Sequence, residues 1–291
     1  MNPIVRLINS SLGKKYIMGI TGAALYGFVI IHTLGNLQIF LPPEAINAYG
    51  KLLKASPEIL WGFRFGLLGM GLLHVWAAVT LTLANKLARP VDYLDKKPLK
   101  ATFASRTMAL SGIIVAVFVV YHILHFTAHI THPEFAHYKT ELDGQEVHDI
   151  YNMVVTGFQN RAVSGFYLLG VGLLCFHLSH GIQSLFQSLG LVTEGYRSWT
   201  TMLGKVTATA IFIGMAAVPL GVMGGVLKHT LGFHPPVVVK SASSCSISKK
   251  ASACPAQQSE CCSETKECDG TKDCPSMKDN SCPSTKTCPA K

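Results

Sequence analysis

Four histidines, His122, His125, His129 and His132, stand in the run VAVFVVYHILHFTAHITH at residues 115–132. On a helix advancing about 100° per residue, their offsets fall within a stripe roughly 80° wide. The run around them is apolar enough to cross a membrane, and a polar side chain left unpartnered in hydrocarbon is costly. A stripe of imidazoles there points to a metal, a proton path or a cofactor. The plainer alternative for any one of them is a hydrogen bond to a neighbouring helix or a place at the water boundary.

The chain around the stripe has 291 residues, of which 49% are hydrophobic and 14% charged. An ordinary soluble domain is about 25% charged, so the composition is that of a membrane protein. The net charge of +9 comes from basic residues beside apolar runs, not from a patch interleaved with exposed aromatics, and nucleic acid is excluded as a partner. Five segments, near residues 16–41, 59–85, 107–131, 162–188 and 200–231, meet the roughly 20 residues needed to span a bilayer. The first is longer than the apolar stretch of a cleavable signal. The fold class expected is therefore an all-α membrane protein, a five-helix transmembrane bundle over residues 1–234 followed by a tail over 235–291.

Basic residues set the orientation. Arg6, Lys14 and Lys15 precede the first span; Lys86, Arg89, Lys96, Lys97, Lys100 and Arg106 fill the second connection; Arg197 and Lys205 flank the fourth. These ends are expected in the cytoplasm. The third connection carries Glu134, Glu141, Asp143, Glu146 and Asp149 and is expected outside, as is the C-terminus. Small residues in GITGAALYG and LLGVGLL let helices or a flat cofactor approach closely. Pro219, Gly221, Gly224 and Gly225 are expected to kink or loosen the fifth span.

Each of the first four spans holds a histidine deep in its apolar run: His32, His74, His122 and His177. With a rise of about 1.5 Å per residue, His32 and His122 lie roughly 22–24 Å from the cytoplasmic side. His74 and His177 enter from the other side and lie roughly 14 Å deeper toward the cytoplasm. Two pairs at two depths are what bis-histidine haem ligation in a helix bundle requires, since each iron needs two axial nitrogens at one level on facing helices. Proton relays need no such matching.

The stretches VIIHTLGNLQIF, GLLHVWAAVTL, FVVYHILHF and CFHLSHGIQSLF, in that order on five spans, resemble the single-polypeptide di-haem cytochrome b anchor of succinate:quinone oxidoreductases and fumarate reductases. The resemblance covers about residues 10–232. It implies two b haems, the outer held by His32 and His122 and the inner by His74 and His177. It also implies partner subunits on the cytoplasmic side, a flavoprotein with FAD and an iron–sulfur protein, and a quinone, expected to be menaquinone, reduced or oxidised in this subunit. On that reading the protein is the electron-transfer subunit of an enzyme of the respiratory chain and tricarboxylic acid cycle, in a bacterial cytoplasmic membrane, with oligomers of complexes left open. In some fumarate reductases a glutamate stands two residues before the fourth-helix ligand; here that position is Cys175, which counts against proton transfer along that helix.

His125 and His180 are candidates for haem propionates or for packing around the ligands. Candidates for the quinone are Asn36, Gln38, Arg64 and His129, with Arg64 foremost as a charge just inside the second span. Eight of the nine cysteines lie between Cys245 and Cys288, among Ser, Lys, Thr and Pro. That composition reads as a disordered, partly oxidised extension in preference to a metal-binding one. Two alternatives stand beside the main reading: the haem subunit of another respiratory enzyme, such as a nitrate reductase anchor, and a metal-handling transporter with a histidine pathway and a cysteine collector.

Overall fold

In the computed structural model, described for residues 6, 8–88, 103–193 and 195–235, the apolar runs form five helices long enough to cross a bilayer. Helix α1 (Ser11–Leu37) begins where the Ser10 hydroxyl accepts from the Gly13 N–H at 3.0 Å, satisfying one of the amides that a helix start leaves open. A 3₁₀ turn (Gln38–Phe40) follows, then the short helix α2 (Pro43–Lys54). Proline at the head of α2, Glu44 in its first turn and Lys51 and Lys54 in its last suit the helix dipole at both ends. The other spans are α3 (Pro57–Leu87), α4 (Phe103–Phe126), α6 (Arg161–Ser188) and α7 (Arg197–Met223).

Between α4 and α6 the chain builds a 3₁₀ turn (Pro133–His137), an antiparallel hairpin of β1 (Lys139–Leu142) and β2 (Gln145–His148), and helix α5 (Ile150–Gln159). The hairpin turns on Asp143 and Gly144, with φ of 53° and 71°, the left-handed geometry that a two-residue hairpin loop demands. Helix α5 meets α2 through a buried polar network. Asn47 Oδ1 accepts from the Ile150 and Tyr151 amides at 2.8 and 3.1 Å, so α2 supplies the cap for the N-terminus of α5. Asp149 accepts from the Asn152 amide at 3.1 Å, and Asn152 Oδ1 receives the Thr230 N–H at 3.1 Å. These elements close one end of the bundle, called here the capped end.

Exposure identifies the solvent around the spans. Leu34, Phe65, Ile113, Val117 and Leu169 each leave more than half their surface uncovered, an apolar belt suited to lipid. Tight helix packing uses glycine where nothing larger fits: a Cβ at Gly204 of α7 would lie 2.6 Å from the Ser179 carbonyl oxygen of α6.

Two expectations change. The third span ends at Phe126, not near residue 131, because His129 takes φ 53° and the Ile130 N–H returns to the Leu124 carbonyl at 2.8 Å, a helix-ending arrangement that usually employs glycine. His129 and His132 therefore leave the helical stripe. The fifth span continues through Pro219 but ends at Met223, with Gly225 left-handed at φ 72°. The connections, read in the sequence only for their charge, contain α2, the hairpin and α5. Arg89, Lys96, Lys97, Lys100 and the cysteine-rich tail lie outside the described residues.

Candidate functional site: two levels of paired histidines

At the capped level, α1 and α4 bring His32 and His122 together, with ring centroids 5.7 Å apart and planes at 79°. One helical turn before each histidine a phenylalanine lies along the ring, Phe28 on His32 at 5.3 Å and Phe118 on His122 at 6.2 Å. Asn36 Nδ2 donates to the His32 carbonyl at 2.8 Å and stands 3.3 Å from Nε2 of the same residue. Nδ1 of His122 is buried without a hydrogen-bond partner, an arrangement that costs free energy unless something else engages the ring.

At the second level, α3 and α6 carry His74 and His177, the first docked on α1 and the second on α4. Nδ1 of His74 lies 3.2 Å from the Met18 carbonyl oxygen and 3.3 Å from Thr21 Oγ1. A carbonyl can only accept, so this nitrogen carries the proton and Nε2 keeps its lone pair. Nδ1 of His177 lies 3.1 Å from Ser111 Oγ. That hydroxyl spends its own proton on the Met108 carbonyl at 3.1 Å, which leaves it to accept from Nδ1–H and again frees Nε2. Beside each hydroxyl a glycine gives the ring room: a Cβ on Gly22 would stand 3.2 Å from His74 Cε1, and one on Gly112 would stand 3.5 Å from His177 Cε1.

The helices themselves measure the spacing of the levels. On α1, Gly22 meets His74 and His32 meets His122; on α4, Gly112 meets His177 and His122 meets His32. Both intervals are ten residues, or about 15 Å. Two levels, each with one imidazole from either side, fit the two axial positions of a b-type haem. Among the described residues no three His, Cys, Asp or Glu side chains converge as a metal site, whereas an iron in a macrocycle asks the protein for only two.

The remaining candidates separate. His125 is wholly buried in an aromatic box with Tyr121, Phe126, Phe135 and Tyr167; its Nδ1 is 2.9 Å from Tyr167 Oη and its Nε2 has no partner. His132 folds back onto it at 4.8 Å. His129 donates Nε2–H to the Phe126 carbonyl at 3.2 Å and stacks on His148 at 5.6 Å. Arg64 is half-buried, with its guanidinium 4.9 Å over Trp61. The Lys54 charge is felt by His129 and His148, and the Arg64 charge by Lys54. Burial, followed by the Arg64 charge, holds the Lys54 ammonium below its ordinary range. Burial, then Lys54, then His129 bring His148 down to about 4. Asn36 belongs instead to His32, and Gln38 is half-buried in the 3₁₀ turn. His180 lies one turn beyond His177, near enough to interact with it, and Cys175 is buried in α6.

Sequence reasoning missed Thr21 and Ser111, although a signal was available. Residues 21–32, TGAALYGFVIIH, and 111–122, SGIIVAVFVVYH, share a hydroxyl residue, glycine, Phe-Val and histidine at identical spacing. The partner helices echo it with LLGMGLL at 67–73 and LLGVGLL at 168–174, each shortly before its histidine.

The fold and site define a multi-pass membrane bundle with histidines paired at two levels. The model of one family, described as succinate dehydrogenase/fumarate reductase transmembrane subunit, matches residues 93–217, so that stretch of the chain is similar to the membrane subunits of those complexes. His122 and His177 fall inside the matched stretch, and His32 and His74 before it. No curated protein and no solved structure matches the chain.

Proposed function

We propose that this anchor carries electrons between an iron–sulfur partner and a membrane quinone, with two b haems held by His32 and His122 at the capped level and by His74 and His177 at the other. The observation that carries the reading is the pairing of four deep histidines at two levels on facing helices. When bound, the haems supply one-electron carriers spaced across the membrane. The chain's own residues do the rest. Thr21, Met18 and Ser111 fix the tautomer of the lower imidazoles; Phe28 and Phe118 pack the upper ones.

Succinate and fumarate chemistry belongs to a flavoprotein partner with FAD. The iron–sulfur partner docks at the end away from the cap, where Lys14, Lys15, Lys86, Arg106, Arg197 and Lys205 gather at helix ends on the cytoplasmic side. The quinone, a menaquinone on this reading, is received near the capped end, where Arg64 and Lys54 offer donors to a carbonyl oxygen beside His129.

The purified complex should show b-type bands in its reduced-minus-oxidised spectrum at two haems per chain. His74→Ala and His177→Ala should each remove one and the same haem, and His32→Ala and His122→Ala the other. A preparation that binds no haem, or variants that cross these pairs, would sink the proposal. Co-purification with a flavinylated subunit separates it from a nitrate reductase anchor.

A further inference from the structure

The two halves of the bundle repeat one device. In the first half, α1 carries Thr21 and Gly22, and His74 of α3 docks on them; in the second, α4 carries Ser111 and Gly112, and His177 of α6 docks on them. Both hydroxyls are 3% exposed. Each also bonds to a carbonyl of its own helix, Thr21 to Ile17 at 2.6 Å and Ser111 to Met108 at 3.1 Å, which turns an oxygen lone pair toward the imidazole. The capped level has no such device. There His122 Nδ1 lacks a partner, and the one side chain beside a His32 nitrogen is the Asn36 amide, a donor. The asymmetry is chemical. A ring whose Nδ1–H is held by an oxygen acquires imidazolate character at Nε2 and becomes a more basic ligand.

We propose that Thr21 and Ser111 are paired positioning residues for the haem of the uncapped level, holding Nδ1–H of His74 and His177 so that Nε2 faces the iron and the ferric state is favoured. This inference rests on the ligand assignment proposed above. The two hydroxyls are not equivalent, because His74 keeps the Met18 carbonyl at 3.2 Å when Thr21 is lost. Ser111 is the one group within hydrogen-bonding distance of His177 Nδ1 among the described residues. Removing Ser111 should therefore have the larger effect. Thr33 supplies the control. It is another buried hydroxyl on α1, but it bonds only to its own helix at Val29, 2.8 Å away.

The experiment is a redox titration, with low-spin haem electron paramagnetic resonance, on the whole complex carrying Thr21→Val, Ser111→Ala or Thr33→Val. Expected results are an upward shift in the midpoint of the haem lost in His74→Ala, larger for Ser111→Ala than for Thr21→Val, and a changed g-spread of that haem. The other haem should keep its midpoint, Thr33→Val should shift neither, and Thr21→Ser and Ser111→Thr should restore the wild-type value. Two haems at wild-type midpoints in Ser111→Ala overturn the proposal, as does an equal shift of both haems. Should Thr21→Val fail to assemble, Ser111→Ala, which removes a single oxygen, decides alone. If His74→Ala and His177→Ala retain both haems, the ligand assignment itself has failed; if they lose one and the hydroxyl variants are silent, only the positioning role has.

Discussion

At the scale of single residues the protein separates histidines that look alike in sequence. His122 faces His32, His125 is enclosed by aromatic rings against Tyr167, and His129 and His132 stand past a helix that ends at Phe126. The first of these distinctions was legible from depth counting. The last was not, because a left-handed histidine ends the helix where glycine or asparagine would have announced it. Thr21 and Ser111 escaped notice since a hydroxyl in an apolar span ordinarily bonds its own helix, as these do before they meet an imidazole. His148, outside the spans, yields a pH prediction. Its pKa in the fold is about 4 against an ordinary 6.5, so the unfolded hairpin takes up a proton first as the medium acidifies. The stability gained by keeping it neutral is complete above about pH 6.5 and lost as pH falls through about 4. Protection factors of amides in β1 and β2, referred to the intrinsic exchange rate at each pH, should fall over that interval, and His148→Gln should flatten the dependence.

At the scale of elements, hydropathy located all five spans to within a few residues at most ends, since the bilayer demands an apolar run of fixed length. It could not reveal α2 and α5. Their mixed composition reads as loop until each has the other to pack against, with Asn47 as the joint. Asn47→Ala removes the acceptor for two amides in a buried place and should cost about 1–3 kcal/mol of cap stability. Limited proteolysis of the 133–160 region should show faster cutting in that variant, while the spans stay intact. The Asp-Gly turn at 143–144 was a readable hairpin signal, overlooked because the acidic connection drew a reading of charge alone.

At the scale of the whole molecule, the bundle is two half-sites facing one another with α7 as a fifth helix packed against α6. Four ligand candidates in chain order were legible because buried polar atoms are rare in apolar spans; the repeat beneath them shows only when residues 21–32 and 111–122 are set side by side. The region beyond residue 240 carries eight cysteines but contributes none of the four histidines. Its deletion should abolish any binding of zinc or Cu(I) by the protein and leave the haem spectrum and quinone reduction unchanged. Loss of haem on deletion would contradict that division of labour.

The ten-residue interval between levels also has a meaning in time. A chain emerging from the ribosome presents both imidazoles of the capped level once α4 is complete, but the lower level lacks its second nitrogen until α6 has entered the membrane. With haems bound as proposed, the upper level would be enclosed by a half-made protein, whereas the lower one would close only around a nearly finished chain. On the ligand assignment proposed above, filling of the lower level therefore reports that four of the five spans are in place.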